Sequence, residues 1–205
     1  MIGLTRQDGI WTVTIDRPEK ANSLTAAMLA EIAGHAEAAA REGAAAFVLT
    51  GRGRVFSAGA DLDEARAGLA TDPVWERLSG AIAALPGLTV AALNGTLAGG
   101  ACGMALACDL RIAVPEAKVF YPVVKLGFRP QPSDPGRLER LIGPARAKMI
   151  LLAGQTVTAE EALAWGLFDR LVPAGELAAA VEALVAGARA ARPGHVAAIK
   201  AMFAG

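Results

Sequence analysis

Apolar and polar residues follow two different patterns in the first quarter of the chain. Ile2–Gln7 and Ile10–Ile15 are rich in strand-forming residues, and the turn residues Asp8-Gly9 separate them, which predicts a pair of strands. Residues 25–41 place Met28, Leu29 and Ile32 at the start of an apolar stripe with helical spacing, which predicts a long helix. Residues 46–50 form a continuous apolar run, as expected of a parallel strand that is buried on both faces.

The rest of the chain alternates short apolar runs with helical patterns, and this alternation predicts an α/β fold. The further predicted elements are short helices at 61–67 and 73–84, strands at 90–93 and 110–114, a small-residue helix at 100–107, and helices at 144–152, 158–165 and 175–192. We therefore expect one domain over residues 1–205, with a core at 1–143 and a helical region at 144–205.

Composition and charge exclude several classes of protein. Of the 205 residues, 54% are hydrophobic and 20% are charged, which is incompatible with a disordered chain. The formal net charge is zero, so no basic surface bias suggests a nucleic-acid partner. Residues 97–107 form the most apolar segment, and it is too short to span a bilayer. Charged residues interrupt the N-terminal apolar stretch, so no secretory leader is expected, and the composition favours a cytoplasmic protein with no membrane partner.

Cysteine and histidine are scarce. Cys102 and Cys108 lie six residues apart on a predicted helix, too far around it to face each other, so we expect two reduced, packed thiols. His35 and His195 are isolated in the sequence, and no Cys/His cluster exists. A metal site is therefore not expected.

Two glycine-rich turns are the strongest chemical signal. FSAGADL at 56–62 follows the apolar run at 46–50, and NGTLAGGACG at 94–103 follows the strand predicted at 90–93. Each turn leads from a predicted strand into a predicted helix, and its small residues let backbone N–H groups approach a ligand closely. Two such turns could direct two N–H groups at one oxygen atom, which is the arrangement of an oxyanion hole.

Four segments resemble the crotonase superfamily, also called the enoyl-CoA hydratase/isomerase family. They are DRPEKANSL at 16–24, FSAGADL at 56–62, NGTLAGGA at 94–101 with CDLR at 108–111, and KLG at 125–127 with RLERLIG at 137–143. The resemblance implies a spiral ββα core, assembly as a homotrimer or hexamer, and an acyl-CoA substrate with no other cofactor. It also implies a short member of the family, because relatives usually continue for one or two helices beyond the residues seen here.

The resemblance also implies roles for residues in the two turns. The thioester oxygen is expected between the backbone N–H groups of Ala60 and Gly100. The positions that match the family's CoA-binding path are Lys20, Ala21, Ala58, Asp61, Leu62 and Gly99. Alternatives remain for several of them: the glycines could serve tight turns alone, Asp61 could be a helix N-cap, and Lys20 could be a solvated surface lysine.

Two positions depart from the family pattern. The resemblance places the two catalytic glutamates of the hydratases at Gly103 and Val123, and neither side chain can transfer a proton. Asp134 is the best candidate for a replacement acid, because its loop borders the acyl pocket in relatives, although it could instead cap the helix that follows Pro135. Weaker candidates, each with a plain structural alternative, are Tyr121, Asp63, Glu64 and Cys102.

Two hypotheses of function follow. The first is an acyl-CoA enzyme of the hydratase/isomerase type whose oxyanion hole stabilises a thioester enolate, with hydration itself impaired. Among decarboxylation, isomerisation and thioester hydrolysis, decarboxylation needs no strong base. The alternative is a non-catalytic acyl-CoA-binding or accessory subunit. A dinucleotide-binding module is excluded, because Gly51-Arg52-Gly53 lacks the rest of the glycine fingerprint and its acidic partner.

Overall fold

A computed structural model describes residues 1–203 of the chain. The strands are β1 (Ile2–Gln7), β2 (Ile10–Ile15), β3 (Ala46–Gly51), β4 (Val55–Ser57), β5 (Leu88–Leu93), β6 (Thr96–Ala98), β7 (Leu110–Ala113), β8 (Lys118–Phe120), β9 (Val157–Thr158) and β10 (Arg170–Leu171). The helices are α1 (Ala26–Arg41), α2 (Leu62–Arg66), α3 (Val74–Ala83), α4 (Ala101–Leu106), α5 (Val123–Leu126), α6 (Asp134–Leu151), α7 (Ala159–Trp165), α8 (Leu177–Ala190) and α9 (His195–Ala201).

The strands form two sheets. The larger has the order β1-β2-β3-β5-β7-β10, and all its pairs are parallel except the β1–β2 hairpin. The smaller has the order β4-β6-β8-β9, with the last pair antiparallel. Three consecutive units each contain a strand of the larger sheet, a strand of the smaller sheet and a helix. They are β3-β4-α2, β5-β6-α4 and β7-β8-α5. This is the spiral ββα architecture that the resemblance implies.

The core lies between the larger sheet and the helices that cover it. The side chains of β3 from Ala46 to Leu49 are all buried, as a parallel strand covered on both faces requires. Helix α1 begins at a cap, where the Thr25 hydroxyl accepts a hydrogen bond from the Met28 amide at 3.2 Å. Its apolar stripe, which includes Leu29 and Ile32, is fully buried. The predicted helix and strand are thus confirmed.

The structure adds elements that the sequence patterns did not delimit. Helix α6 consists of two helical stretches separated at Gly143, whose φ of +78° and ψ of 164° are not helical. The second stretch agrees with the helix expected at 144–152, and the first, which begins at Asp134, was not delimited from the sequence. The strands of the smaller sheet were not anticipated, because runs of two or three residues carry too little periodicity to be recognised. Among residues 1–203, no helix is both long and apolar enough to cross a bilayer.

Candidate active site

The two glycine-rich turns converge at the carboxyl ends of β4 and β6. Gly59 has φ +91°, a left-handed conformation that favours glycine. A Cβ atom at Gly59 would lie 2.9 Å from the carbonyl oxygen of Ala98 and 3.4 Å from the amide nitrogen of Gly100. Only a residue without a side chain lets the two turns approach this closely.

A hydrogen-bond network fixes the first turn. The Ser57 hydroxyl donates to the Asn22 carbonyl at 2.8 Å and accepts from the Gly59 amide at 3.2 Å. Leu24 completes the anchor, because its amide donates to the Gly59 carbonyl and its carbonyl accepts from the Asp61 amide, both at 2.8 Å. The conformation between residues 57 and 61 is therefore set before any ligand arrives.

Ala60 and Gly100 are left with free amide groups. Within the described part of the chain, neither amide donates a hydrogen bond to the backbone or to a side chain. Both residues line one cavity of about 370 Å³, and Gly100 stands at the N-terminus of α4. Because an unpaired N–H group needs an acceptor, this cavity can bind a carbonyl oxygen or a developing oxyanion.

The remaining walls of the cavity are mainly apolar. Trp75 packs against Gly100, so that a Cβ on this glycine would lie 3.1 Å from the indole ring, and the indole N–H donates to the Leu69 carbonyl at 2.8 Å. Arg66 and Arg129 also line the cavity. Among the described lining residues none is aspartate or glutamate. Trp75 is not recognisable from the sequence as a wall of the site, since its position on α3 predicts only a core residue.

The residues expected on the CoA path divide into two groups. The cavity is lined by Ala58, Ala60, Leu62, Gly99 and Gly100. Lys20 and Ala21 lie outside it, although the Ala21 carbonyl accepts from the Ala58 amide at 3.0 Å, and Lys20 is exposed.

Asp61 also lies outside the cavity lining and has a structural role. Its carboxylate caps α2 by accepting from the Asp63 amide at 3.1 Å, and it accepts from the Arg17 guanidinium at 2.9 Å. The hydrogen bond from Arg17 lowers the pKa of Asp61 below its ordinary value. The N-cap interpretation of Asp61 is thus confirmed.

The two positions at which the family resemblance places the hydratase glutamates, Gly103 and Val123, have different surroundings. Val123 is buried and lines the cavity directly. Gly103 lies in α4 behind the cavity, and the Asp134 carboxylate covers it. A Cβ atom at Gly103 would lie 2.8 Å from Oδ1 and 3.1 Å from Oδ2 of Asp134. The space in which a side chain at position 103 would begin is therefore occupied by an acid from another element.

Asp134 itself is fully buried. The Tyr121 hydroxyl donates to its Oδ2 at 2.9 Å, and Arg137 Nη1 lies 3.8 Å from its Oδ1. Burial raises the pKa of Asp134 to about 6, against the opposing effects of Tyr121 and Arg137. Asp134 does not line the cavity and, contrary to the alternative from sequence, its side chain caps no helix; Tyr121 stands between it and the cavity.

The weaker acid–base candidates have structural roles. Asp63 pairs with Arg66 on the surface, and Glu64 accepts a hydrogen bond from the Ala26 amide at 2.6 Å. Cys102 is a buried free thiol whose pKa is raised by burial, and it lies outside the cavity lining. Tyr121 is the exception, because it lines the cavity and is bonded to Asp134.

Comparison with known proteins places these features in a family. The model of the enoyl-CoA hydratase/isomerase family matches residues 5–204. The chain belongs to the enoyl-CoA hydratase/isomerase family. Within this family it is 37% identical over 172 residues to the protein named "Probable enoyl-CoA hydratase echA6" of Mycobacterium bovis, covering 83% of this chain and 70% of that protein.

Solved structures of the family share the fold over almost the whole chain. An enoyl-CoA hydratase from Mycobacterium avium superposes with a TM-score of 0.89 at 35% identity, covering 99% of this chain and 81% of the other. An enoyl-CoA hydratase from Bacillus anthracis gives a TM-score of 0.92 at 30% identity, covering 99% and 82%. The spiral of strands and helices is therefore the family fold.

Proposed function

We propose that this chain is an acyl-CoA enzyme that holds the thioester oxygen between the amides of Ala60 and Gly100 and stabilises the enolate formed from the thioester. The observation that supports this proposal is the pair of unpaired N–H groups at one cavity, in a turn geometry that Gly59 makes possible. In enzymes of this general kind, one such donor contributes about 2.7–4 kcal/mol to the transition state.

The apolar walls favour this chemistry further. A hydrogen bond between an N–H group and a developing oxyanion is stronger where water is excluded, and Trp75 and Val123 are among the apolar residues that line the cavity. The lack of a lining carboxylate favours substrates that form an enolate without a strong base. Loss of CO₂ from a malonyl-type thioester leaves the enolate directly, so decarboxylation is the reaction of first choice. Isomerisation and thioester hydrolysis remain further candidates.

A second candidate function has one observation in its favour. No described residue with a carboxylate lines the cavity, and the family resemblance places the hydratase glutamates at Gly103 and Val123, neither of which supplies an acid. A subunit that binds acyl-CoA and catalyses nothing would need only the free amides and the apolar walls. Both candidate functions predict that the protein binds acyl-CoA, and only the first predicts that it converts acyl-CoA to a product.

Two measurements on the purified protein test the proposal. Calorimetric titration with acetyl-CoA and crotonyl-CoA, with free CoA as competitor, measures binding. Infrared spectroscopy of a bound acyl-CoA with a ¹³C-labelled thioester carbonyl measures polarisation, since hydrogen bonds from two N–H groups lower the C=O stretching frequency. Binding without any carbonyl shift would contradict the oxyanion role, and absence of binding would contradict both candidates. Release of CO₂ from methylmalonyl-CoA distinguishes the enzyme from the accessory subunit.

A further inference from the structure

Tyr121 and Gly100 lie just beyond the ends of two adjacent strands. In the smaller sheet, Ala98 of β6 pairs with Phe120 of β8, and the Gly99 amide donates to the Phe120 carbonyl at 3.0 Å. Tyr121 follows β8 directly and Gly100 lies two residues beyond the end of β6, so both emerge at the same edge of the sheet, and both line the cavity. Tyr121 and one of the two free amides thus belong to the same cavity.

The hydroxyl of Tyr121 has polar partners on its buried side. It donates to Asp134 Oδ2 at 2.9 Å and accepts from the Gln131 amide at 3.4 Å. A phenol oxygen has two lone pairs and one proton, so one lone pair remains for a further proton. Burial raises the pKa of the Tyr121 hydroxyl well above its ordinary value, which keeps it protonated. A free tyrosinate is therefore not part of any mechanism here.

The carboxylate of Asp134 is buried, and among residues 1–203 only one of its two oxygen atoms accepts a hydrogen bond. Its Oδ1 has no hydrogen-bond partner in the described part of the chain, and neither has Arg137 Nη1, which is 3.8 Å away. The other groups that face Asp134 are Tyr121, the Cys102 thiol from α4 and Glu76 from α3. Glu76 is engaged elsewhere, since Oε1 accepts from the amide and hydroxyl of Ser133. A buried, incompletely paired carboxylate is costly to keep, and such groups cluster at functional sites.

We propose that Tyr121 is the proton-transfer group of this cavity and that Asp134 acts through it as the proton acceptor and donor. This rests on the proposed function, because the enolate must be held by Ala60 and Gly100. As the Cα–H bond of the acyl group breaks, its electron pair moves into the enolate, the proton goes to the Tyr121 oxygen, and the phenolic proton moves to Asp134. The reverse transfer protonates an enolate left by decarboxylation and returns Asp134 to the carboxylate.

The relay has a defined dependence on pH. Removal of a proton from the acyl group requires the carboxylate form of Asp134, whose pKa is about 6. The exchange rate should therefore rise through pH 6 and become constant above it. The roles differ in kind: Tyr121 faces the substrate, whereas Asp134 acts only through the Tyr121 hydroxyl, which it orients by a hydrogen bond and whose proton it takes up and returns.

The experiment follows exchange of the acyl α-protons of butyryl-CoA in D₂O by NMR. We compare the wild type with Tyr121→Phe and Asp134→Asn. Ser133→Ala serves as the control, because it removes a nearby hydroxyl outside the relay. We expect each relay variant to exchange about 10²-fold more slowly than the wild type. Asp134→Asn should also lose the rise near pH 6, while the carbonyl infrared shift persists in both variants and Ser133→Ala behaves as the wild type.

Several results would overturn the relay. One is an exchange rate in either folded relay variant within about threefold of the wild type. Another is a wild type that binds the thioester with a shifted carbonyl band and exchanges no proton, which would leave the proposed binding function intact. A wild-type rate that is flat from pH 5 to 8 would also refute it, and this measurement needs no variant. Absence of the carbonyl shift in the wild type would refute the proposed function, and with it the relay.

Discussion

The Asp134 carboxylate lies against Gly103, with Oδ1 2.8 Å from the position that a Cβ atom on this glycine would occupy. The two residues come from α6 and α4, and their contact fills the space where a glutamate at position 103 would begin. The Asp134 carboxylate can occupy this space only because position 103 is a glycine.

Replacing Gly103 with alanine should test this contact. The added methyl would force the buried carboxylate to move, which we expect to lower the free energy of unfolding by about 1–3 kcal/mol. Gly80→Ala is the matched control: Gly80 also lies inside a helix, and a Cβ there would meet nothing within 4 Å. That variant should be stabilised by about 0.5–1 kcal/mol. Urea unfolding of both variants measures the difference, and equal stability would refute the contact.

Restoring the hydratase glutamates should require a change at Asp134. The wild type should hydrate crotonyl-CoA poorly, and Gly103→Glu with Val123→Glu should improve it little, because the new side chain at 103 collides with Asp134. Adding Asp134→Gly removes the collision. We expect the triple variant to hydrate crotonyl-CoA about 10²–10⁴-fold faster than the wild type. Equal gains in the double and triple variants would show that Asp134 does not obstruct position 103.

The raised pKa of Asp134 should appear in the stability of the protein. Its folded-state pKa of about 6 lies above the ordinary value of 3.8, so between these values the folded state binds more protons than the unfolded state. This contribution to stability is fully present below about pH 4 and is lost as pH rises through 6. Relative to Asp134→Asn, the free energy of unfolding of the wild type should fall by about 3 kcal/mol as pH rises through this range. Urea unfolding at a series of pH values measures the free energy of unfolding of both proteins. If it changed with pH equally in both, the raised pKa of Asp134 would be contradicted.

Assembly should depend on an apolar groove beside the cavity. Val124, Phe128 and Leu152 line it and are 51%, 40% and 66% exposed, and contiguous apolar surface of this kind is uncommon on monomers. By family resemblance we expect a homotrimer or hexamer. Leu152→Glu should shift the light-scattering mass toward a monomer, whereas Leu163→Glu, at an exposed leucine of α7 outside the groove, should not. A monomeric wild type at micromolar concentration would contradict this expectation.

The sequence predicts those helices and strands that are long enough to show a regular pattern of apolar residues. The periodicity of α1 and the apolar run of β3 suffice to locate both elements, and the two glycine turns indicate the free amides from the sequence alone. The strands β4, β6 and β8 were missed, since three residues carry no readable period.

Contacts between distant elements were beyond the sequence pattern. Nothing local to Asp134 indicates that its carboxylate meets Gly103, or that the Tyr121 hydroxyl would bind it. Both contacts depend on how α4, α6 and β8 pack. Sequence could therefore name Asp134 and Tyr121 as candidates and could not pair them.

The central claim is that the Ala60 and Gly100 amides polarise an acyl-CoA carbonyl, and the infrared carbonyl band of a bound ¹³C-labelled acyl-CoA tests it most directly in Gly59→Ala. An alanine at Gly59 would meet the Ala98 carbonyl at 2.9 Å and should displace the turn, whereas Gly43→Ala imposes a similar left-handed strain with nothing within 4 Å. The account predicts that Gly59→Ala loses the low-frequency band and slows α-proton exchange about 10²–10³-fold, while Gly43→Ala keeps both. An unchanged band and rate in a folded Gly59→Ala variant would contradict the account.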